Sequence, residues 1–205
     1  MFRRTCARWI TAVAMALLLS AVPAIAQQQE ALDDLRARLD ATSFRTLSAL
    51  LDSARIAGLP STPLISKAQE GLLKKAQPIA IVAAARNLLA RMRVSRDALG
   101  TATPSEIEAG ASALRAGASS AQLSELRLSR AGRNVAVPLM VVADLLARGV
   151  PRDTAARAVQ AMITANATDD AFNALRMNIE RDISGGMSPA VAAGLRYRAL
   201  LGRQP

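Results

Sequence analysis

The chain has no histidine, so it lacks the commonest general base, the commonest metal ligand and the usual switch near neutral pH. Its one cysteine, Cys6, precedes an apolar run and is lost if that run is processed as an export signal. Disulfides, thiol catalysis and thiolate metal sites are then excluded. Beyond residue 26 the aromatics reduce to Phe44, Phe172 and Tyr197, which leaves no platform for stacking bases. It also means a core of Ala, Leu, Val, Ile and Met with few large anchors and modest stability. Lysine is confined to Lys67, Lys74 and Lys75, so the positive charge is almost all arginine.

The first 26 residues read as an address. Arg3, Arg4 and Arg8 form a positive start, Ile10 to Leu19 an apolar stretch too short to span a bilayer, and Ala24-Ile25-Ala26 a small-x-small cleavage site. A mature chain beginning at Gln27, exported to the periplasm or the extracellular space, is expected, and it is not an integral membrane protein after cleavage. Removing the three arginines leaves 23 basic against 16 acidic residues, about +7. Such a balance suits a surface for anions, and an Ala/Arg-rich coding bias produces the same balance without one.

Glycine and proline punctuate the rest of the chain. From Gln28 to Ala57, Leu32, Leu35, Leu39, Phe44, Leu47, Leu50 and Leu51 recur at helical steps. Thr42 or Ser43 interrupts them as a second cap, giving one kinked helix or two. Gly58 and Pro60 stop this segment. Ser61 or Thr62, with Pro63, starts a helix burying Leu64, Ile65, Ala68, Leu72 and Leu73. Pro78 starts another, with Ile79, Val82, Ala85, Leu88, Leu89 and Met92 on its apolar face, and Gly100 ends it.

Thr103-Pro104-Ser105-Glu106 and Ser119 to Gln122 have capping-box spacing. They open helices that run to Ala116 and to about Ala131. The apolar stretch Val135 to Leu146 reads as a buried central helix, with an apolar strand as the alternative. Asp153 and then Thr168 or Asp169 cap two more helices, and Ser188-Pro189 begins the last.

The fold class is therefore all-α: a multihelical bundle or a short irregular solenoid of about 8 to 9 short helices after the signal. Three parts are expected: the signal peptide at 1–26, an N-terminal helical segment at 27–57 and a helical domain at 58–205. Within the last part, sliding Gly58 onto Gly149 pairs Ala68 with Val159, Leu72 with Ile163, Pro78 with Asp169, Ile81 with Phe172 and Leu88 with Ile179. This is a helix-pair repeat of roughly 32 to 40 residues, or the stops and starts that any bundle of short helices needs. The run Gly-Leu-Pro-x-x-Pro-Leu-x-x-Lys-Ala-x-Glu-Gly from Gly58 resembles a segment of uncharacterised exported bacterial all-helical proteins. That resemblance covers less than a tenth of the chain and implies no activity and no site residue.

No residue is assigned to catalysis, to a cofactor or to a metal. Asp33/Asp34, Glu106/Glu108 and Asp169/Asp170 lie in first turns or on an exposed helix, where carboxylates complement the helix dipole. Ser66-Lys67 is adjacent rather than spaced by three, so the two side chains point apart. The candidate anion-binding face is Arg127, Arg130 and Arg133, with Lys74 and Lys75; Arg86, Arg91, Arg93 and Arg96 add to the basic surface. The expected function is an exported, non-enzymatic binding or scaffolding module for a protein partner. The alternative is an envelope-surface binder of anionic lipid or polymer that uses the arginines. Nucleic acid is not an expected partner.

Overall fold

Residues with positive φ mark nearly every turn between helices. The computed structural model describes residues 22–201, and these form ten helices and no strand. They are α1 (Val22–Arg38), α2 (Ala41–Ile56), α3 (Thr62–Leu73), α4 (Pro78–Leu99), α5 (Pro104–Ala116), α6 (Ser120–Ser129), α7 (Ala136–Ala147), α8 (Arg152–Thr164), α9 (Asp169–Ser184) and α10 (Pro189–Leu201). Residues 1–21 of the expected export signal lie outside the described residues, and Val22–Ala26 open α1. Among the described residues no helix is long and apolar enough to cross a membrane.

After α2 every turn holds one left-handed residue: Gly58, Lys75, Gly100, Gly117, Gly132, Gly149, Asn166 and Gly186. Lys75 (φ 54°) and Asn166 (φ 53°) carry the steric cost of a Cβ in this region. They also occupy equivalent positions when Gly58 is slid onto Gly149. The hydrogen bonds repeat in that register. Leu59 N to Ala54 O and Ala76 N to Gly71 O on one segment match Val150 N to Leu145 O and Ala167 N to Met162 O on the other. The alignment of Pro78 with Asp169 is that of the first residues of α4 and α9.

The helix starts follow side-chain chemistry, with exceptions. Both capping boxes form, and Thr168 accepts from Ala171 N. The kink near residue 40 is a full break, and its cap is Asp40 rather than Thr42 or Ser43. The Asp40 carboxylate accepts from both of their amides, as a preferred N-cap residue does. Those bonds hold its carboxyl below the usual range, the one from Ser43 contributing most. Ser61 precedes α3 without a side-chain capping bond, and its hydroxyl instead accepts from Gln28 Nε2 at 3.1 Å. Asp153 lies in the first turn of α8, behind Pro151, rather than capping it.

The chain divides into two compact units at Arg86/Asn87, within α4. In the first, α1 packs on α2 and α3 around Leu35, Leu39, Leu47, Ile65, Ala68, Ile81 and Ala85. Leu73 and Ile79, expected inside, are 77% and 79% exposed. They flank the turn after α3, where the helical face that is buried in α3 no longer applies.

In the second unit alternate helices stack. α5 packs on α7 and α7 on α9, while α6 packs on α8 and α8 on α10. Two layers result, each built from every other helix, which is a short α-solenoid rather than a closed bundle. The first-layer helices begin at residues 104, 136 and 169, a step of 32 and then 33 residues. α7 lies between α5 and α9, and Val135, Leu139, Val141, Val142 and Leu145 are all buried there. Its apolarity is thus that of a central helix, not of a strand. Ala109, Gly110, Ala111 and Ala113 on α5 keep the approach to neighbouring helices close. Phe172 is the largest fully buried side chain among the described residues.

Candidate functional site

The helices α5, α7 and α9 start along one edge of the second unit, and the arginines Arg127, Arg130 and Arg133 lie along that edge. Glu106, third residue of α5, is 3% exposed. Its Oε2 accepts from Thr103 N at 2.8 Å, closing the capping box. Its Oε1 reaches across to Val135 N, at the start of α7, at 2.8 Å. Arg127 Nη2, on α6, completes the set at 2.5 Å, and Arg127 Nη1 donates to Arg133 O at 3.1 Å. Burial pushes the Glu106 carboxyl up, but the bonds from Thr103, Val135 and Arg127 together outweigh it and hold the carboxyl below its usual range.

Arg130 continues the edge toward α9. It is 6% exposed, donates to Asp169 Oδ1 at 2.8 Å, and its guanidinium lies over the Phe172 ring, 5.2 Å from the centroid. Arg133 donates to Asn166 Oδ1, in the turn before α9. Around Arg130, Arg133, Asn134, Thr168, Asp169 and Asp170 the surface dips into an open hollow of about 430 Å³. Two cations and two carboxylates meet there, so the hollow is not a field of one sign.

The structure therefore brings Arg127, Arg130 and Arg133 together on one edge, and each is engaged within the fold. Lys74 and Lys75 belong to the first unit. Lys74 and Lys67 both bind Glu70, and with the Lys67 hydrogen bond as the largest cause its carboxyl is lowered to about 2. Lys75 occupies the turn after α3. Of the other arginines, Arg91 is half-buried and burial lowers its pKa, with the charge of Arg115 adding to the effect. Arg96 pairs with Asp97.

What the sequence did not single out is the uncovered stripe of α7. Val137 and Asp144 are half-buried, and Met140, Ala147 and the cap residue Arg148 exposed, on a helix whose other residues are buried except for half-buried Leu146. Met140 is 53% exposed. Asp144 pairs with Arg176 and Arg148 with Glu180, so α7 and α9 run parallel along a ladder of alternating charge. The only signal in the sequence was the spacing of Met140, Asp144 and Arg148, one helical turn apart within an apolar run. Among the described residues no group of three or more acidic side chains is placed to hold a metal ion. Comparison with family models, curated proteins and solved structures returned no match.

Proposed function

We propose that the protein is an exported, non-enzymatic helical-repeat module that binds another protein across the outer surface of α5 and α7. The observation that carries this reading is the stripe Val137, Met140, Asp144, Ala147 and Arg148, which holds the exposed residues of a mostly buried helix and its cap. It combines a soft apolar side chain with partly exposed ion pairs to the next repeat, which suits a partner matched in shape and polarity. Stacked helix pairs build extended binding surfaces of this kind. The residues at 1–26 support export, and the absence of histidine, with the single cysteine inside that segment, supports a non-catalytic role.

A photocrosslinking amino acid at position 140, presented to envelope extract from the source cells, tests the reading. One discrete protein adduct is expected, absent when the crosslinker is moved to exposed Glu125 on α6. The same adducts from both positions, or none from position 140, would refute it.

A further inference from the structure

The last stacked pair, α9 and α10, is buried on one side and bare on the other. Phe172, Leu175 and Ile179 of α9, with Ala192 and Ala193 of α10, go into the core. Asp170, Ala174, Met177 and Arg181 are spaced by four, three and four residues along α9, one helical face, and all are exposed. On α10, Val191 and Leu195 are 56% and 42% exposed, with Arg198 a turn further on. Single exposed apolar residues are ordinary. Apolar stripes on two adjacent helices, each opposite its packed side, match the kind of surface by which one pair of a solenoid receives the next.

We propose that this face docks a second copy of the chain, α9 against the partner's α9, antiparallel about a two-fold axis. The order of charges on the stripe selects that occupant. Asp170 lies at one end, Arg181 at the other, and Ala174 and Met177 between. An axis passing midway between Ala174 and Met177 sets each Asp170 against the partner's Arg181 and each Met177 against the partner's Ala174. Large meets small and opposite charges meet at both ends, an isologous contact that closes on itself. A parallel arrangement would set like charges together. Asp170 has no ion pair among the described residues, although it borders the hollow lined by Arg130 and Arg133, and Arg181 donates to Asn178 Oδ1 at 3.4 Å and acts on Asp182 through its charge alone. The 16-residue α9 is about 24 Å long, and a contact of one such helix pair is small, so its affinity is expected at about tens of micromolar.

Sedimentation equilibrium of the purified full chain tests this, with Asp170→Arg and Arg181→Asp as variants. The unsubstituted protein should dimerise as its concentration rises toward ~100 µM. Each variant alone faces its own like charges twice, and its dimerisation should weaken by about tenfold or more. An equimolar mixture of the two variants regains both opposite pairs and should return to within about threefold of the original constant, which a folding defect could not do. Circular dichroism melts of each variant check that the helices persist. A monomer throughout, a dimer indifferent to either substitution, weakening not restored by mixing, or open-ended oligomers would each overturn the proposal. So would capture of a different protein on this face by a monomeric chain.

Discussion

Replacing Glu106 should cost more stability than any other single carboxylate in the second unit, because three helices of two successive repeats are tied through it. Glu106→Ala leaves Val135 N, Thr103 N and Arg127 Nη2 without their acceptor. Thr103 N lies at an exposed helix start, where water can replace the lost oxygen. Val135 N and the Arg127 guanidinium lie deeper. A hydrogen bond to a charged group contributes about 1.5–3 kcal/mol, and counting these two gives roughly 3–6 kcal/mol. Breaking one half of a buried ion pair costs the same order. For a unit of this size, about 3–4 °C per kcal/mol then lowers Tm by roughly 10–25 °C.

The assay is urea and thermal denaturation followed at 222 nm, run as a double-mutant cycle with Arg127→Met. The two substitutions should be strongly non-additive, coupled by about 2 kcal/mol, since each removes the other's partner. High salt should barely change the coupling, because a buried pair is little screened. The acid limb carries the sign. The native Glu106 carboxyl is held below its ordinary value of about 4.3, so the unfolded chain binds more protons in that window. Its contribution is complete above the ordinary value and falls as pH drops through the native one. Glu106→Gln should remove that part of the acid dependence. A cost under about 1 kcal/mol for Glu106→Ala, or additive effects with Arg127→Met, would refute the reasoning.

Gly110→Ala, normally a gain of about 1 kcal/mol within a helix, should instead destabilise by about 1–3 kcal/mol. The added Cβ would run into Ser95 Oγ and lie 3.1 Å from Leu123 Cδ2; Ser95→Ala should recover part of the loss, and a stabilised Gly110→Ala protein would count against the packing. Lys75→Gly should raise the urea midpoint by the equivalent of about 0.5–1 kcal/mol, because its backbone is left-handed. Asn166→Gly should not, since Asn tolerates that conformation and its side chain accepts from Arg133; equal gains at both sites would contradict this. Vesicles rich in phosphatidylglycerol should bind no more than about twofold less tightly when exposed Arg133 becomes Glu. A salt-sensitive affinity abolished by Arg133→Glu would make the arginine edge an anion surface.

The brief helices were legible because their ends obey local rules. Gly58, Gly100, Gly117 and Gly149 stop helices where glycine's freedom at positive φ predicts, and Thr103 and Ser119 cap where expected. Lys75 and Asn166 occupy the same conformation without glycine, so the regularity of the turns was visible only in the backbone. Leu73 and Ile79 were misplaced because a 3.6-residue period identifies a face but loses its phase at a turn. The arginine edge was harder still. Sequence shows an excess of positive charge, whereas the carboxylates that engage it are far along the chain: Glu106 is 21 residues from Arg127, and Asp169 is 39 from Arg130. Which helices become neighbours is decided by layering, and a local pattern does not encode it.

The polar contacts of the second unit are unequal in a way that bears on binding. Along the edge where α5, α7 and α9 begin, Glu106 and Arg130 are almost wholly buried, and removing Arg127 or Asp169, the partner of each, leaves a buried charge without its ion pair. Across the outer surface, Asp144–Arg176 and Arg148–Glu180 are about one-third or more exposed, where such pairs contribute little. The stack is thus pinned at one edge and lightly tied across the side where Met140 lies. Opening between α7 and α9 should start from that side, with the edge as its hinge. Hydrogen exchange can resolve this: the Val135 amide, donating to a buried carboxylate, should exchange only by unfolding of the unit, while amides around Met177 exchange through smaller openings. Equal protection at the two places would mean the layers move as one rigid body, and a partner would then have to fit the surface as it stands.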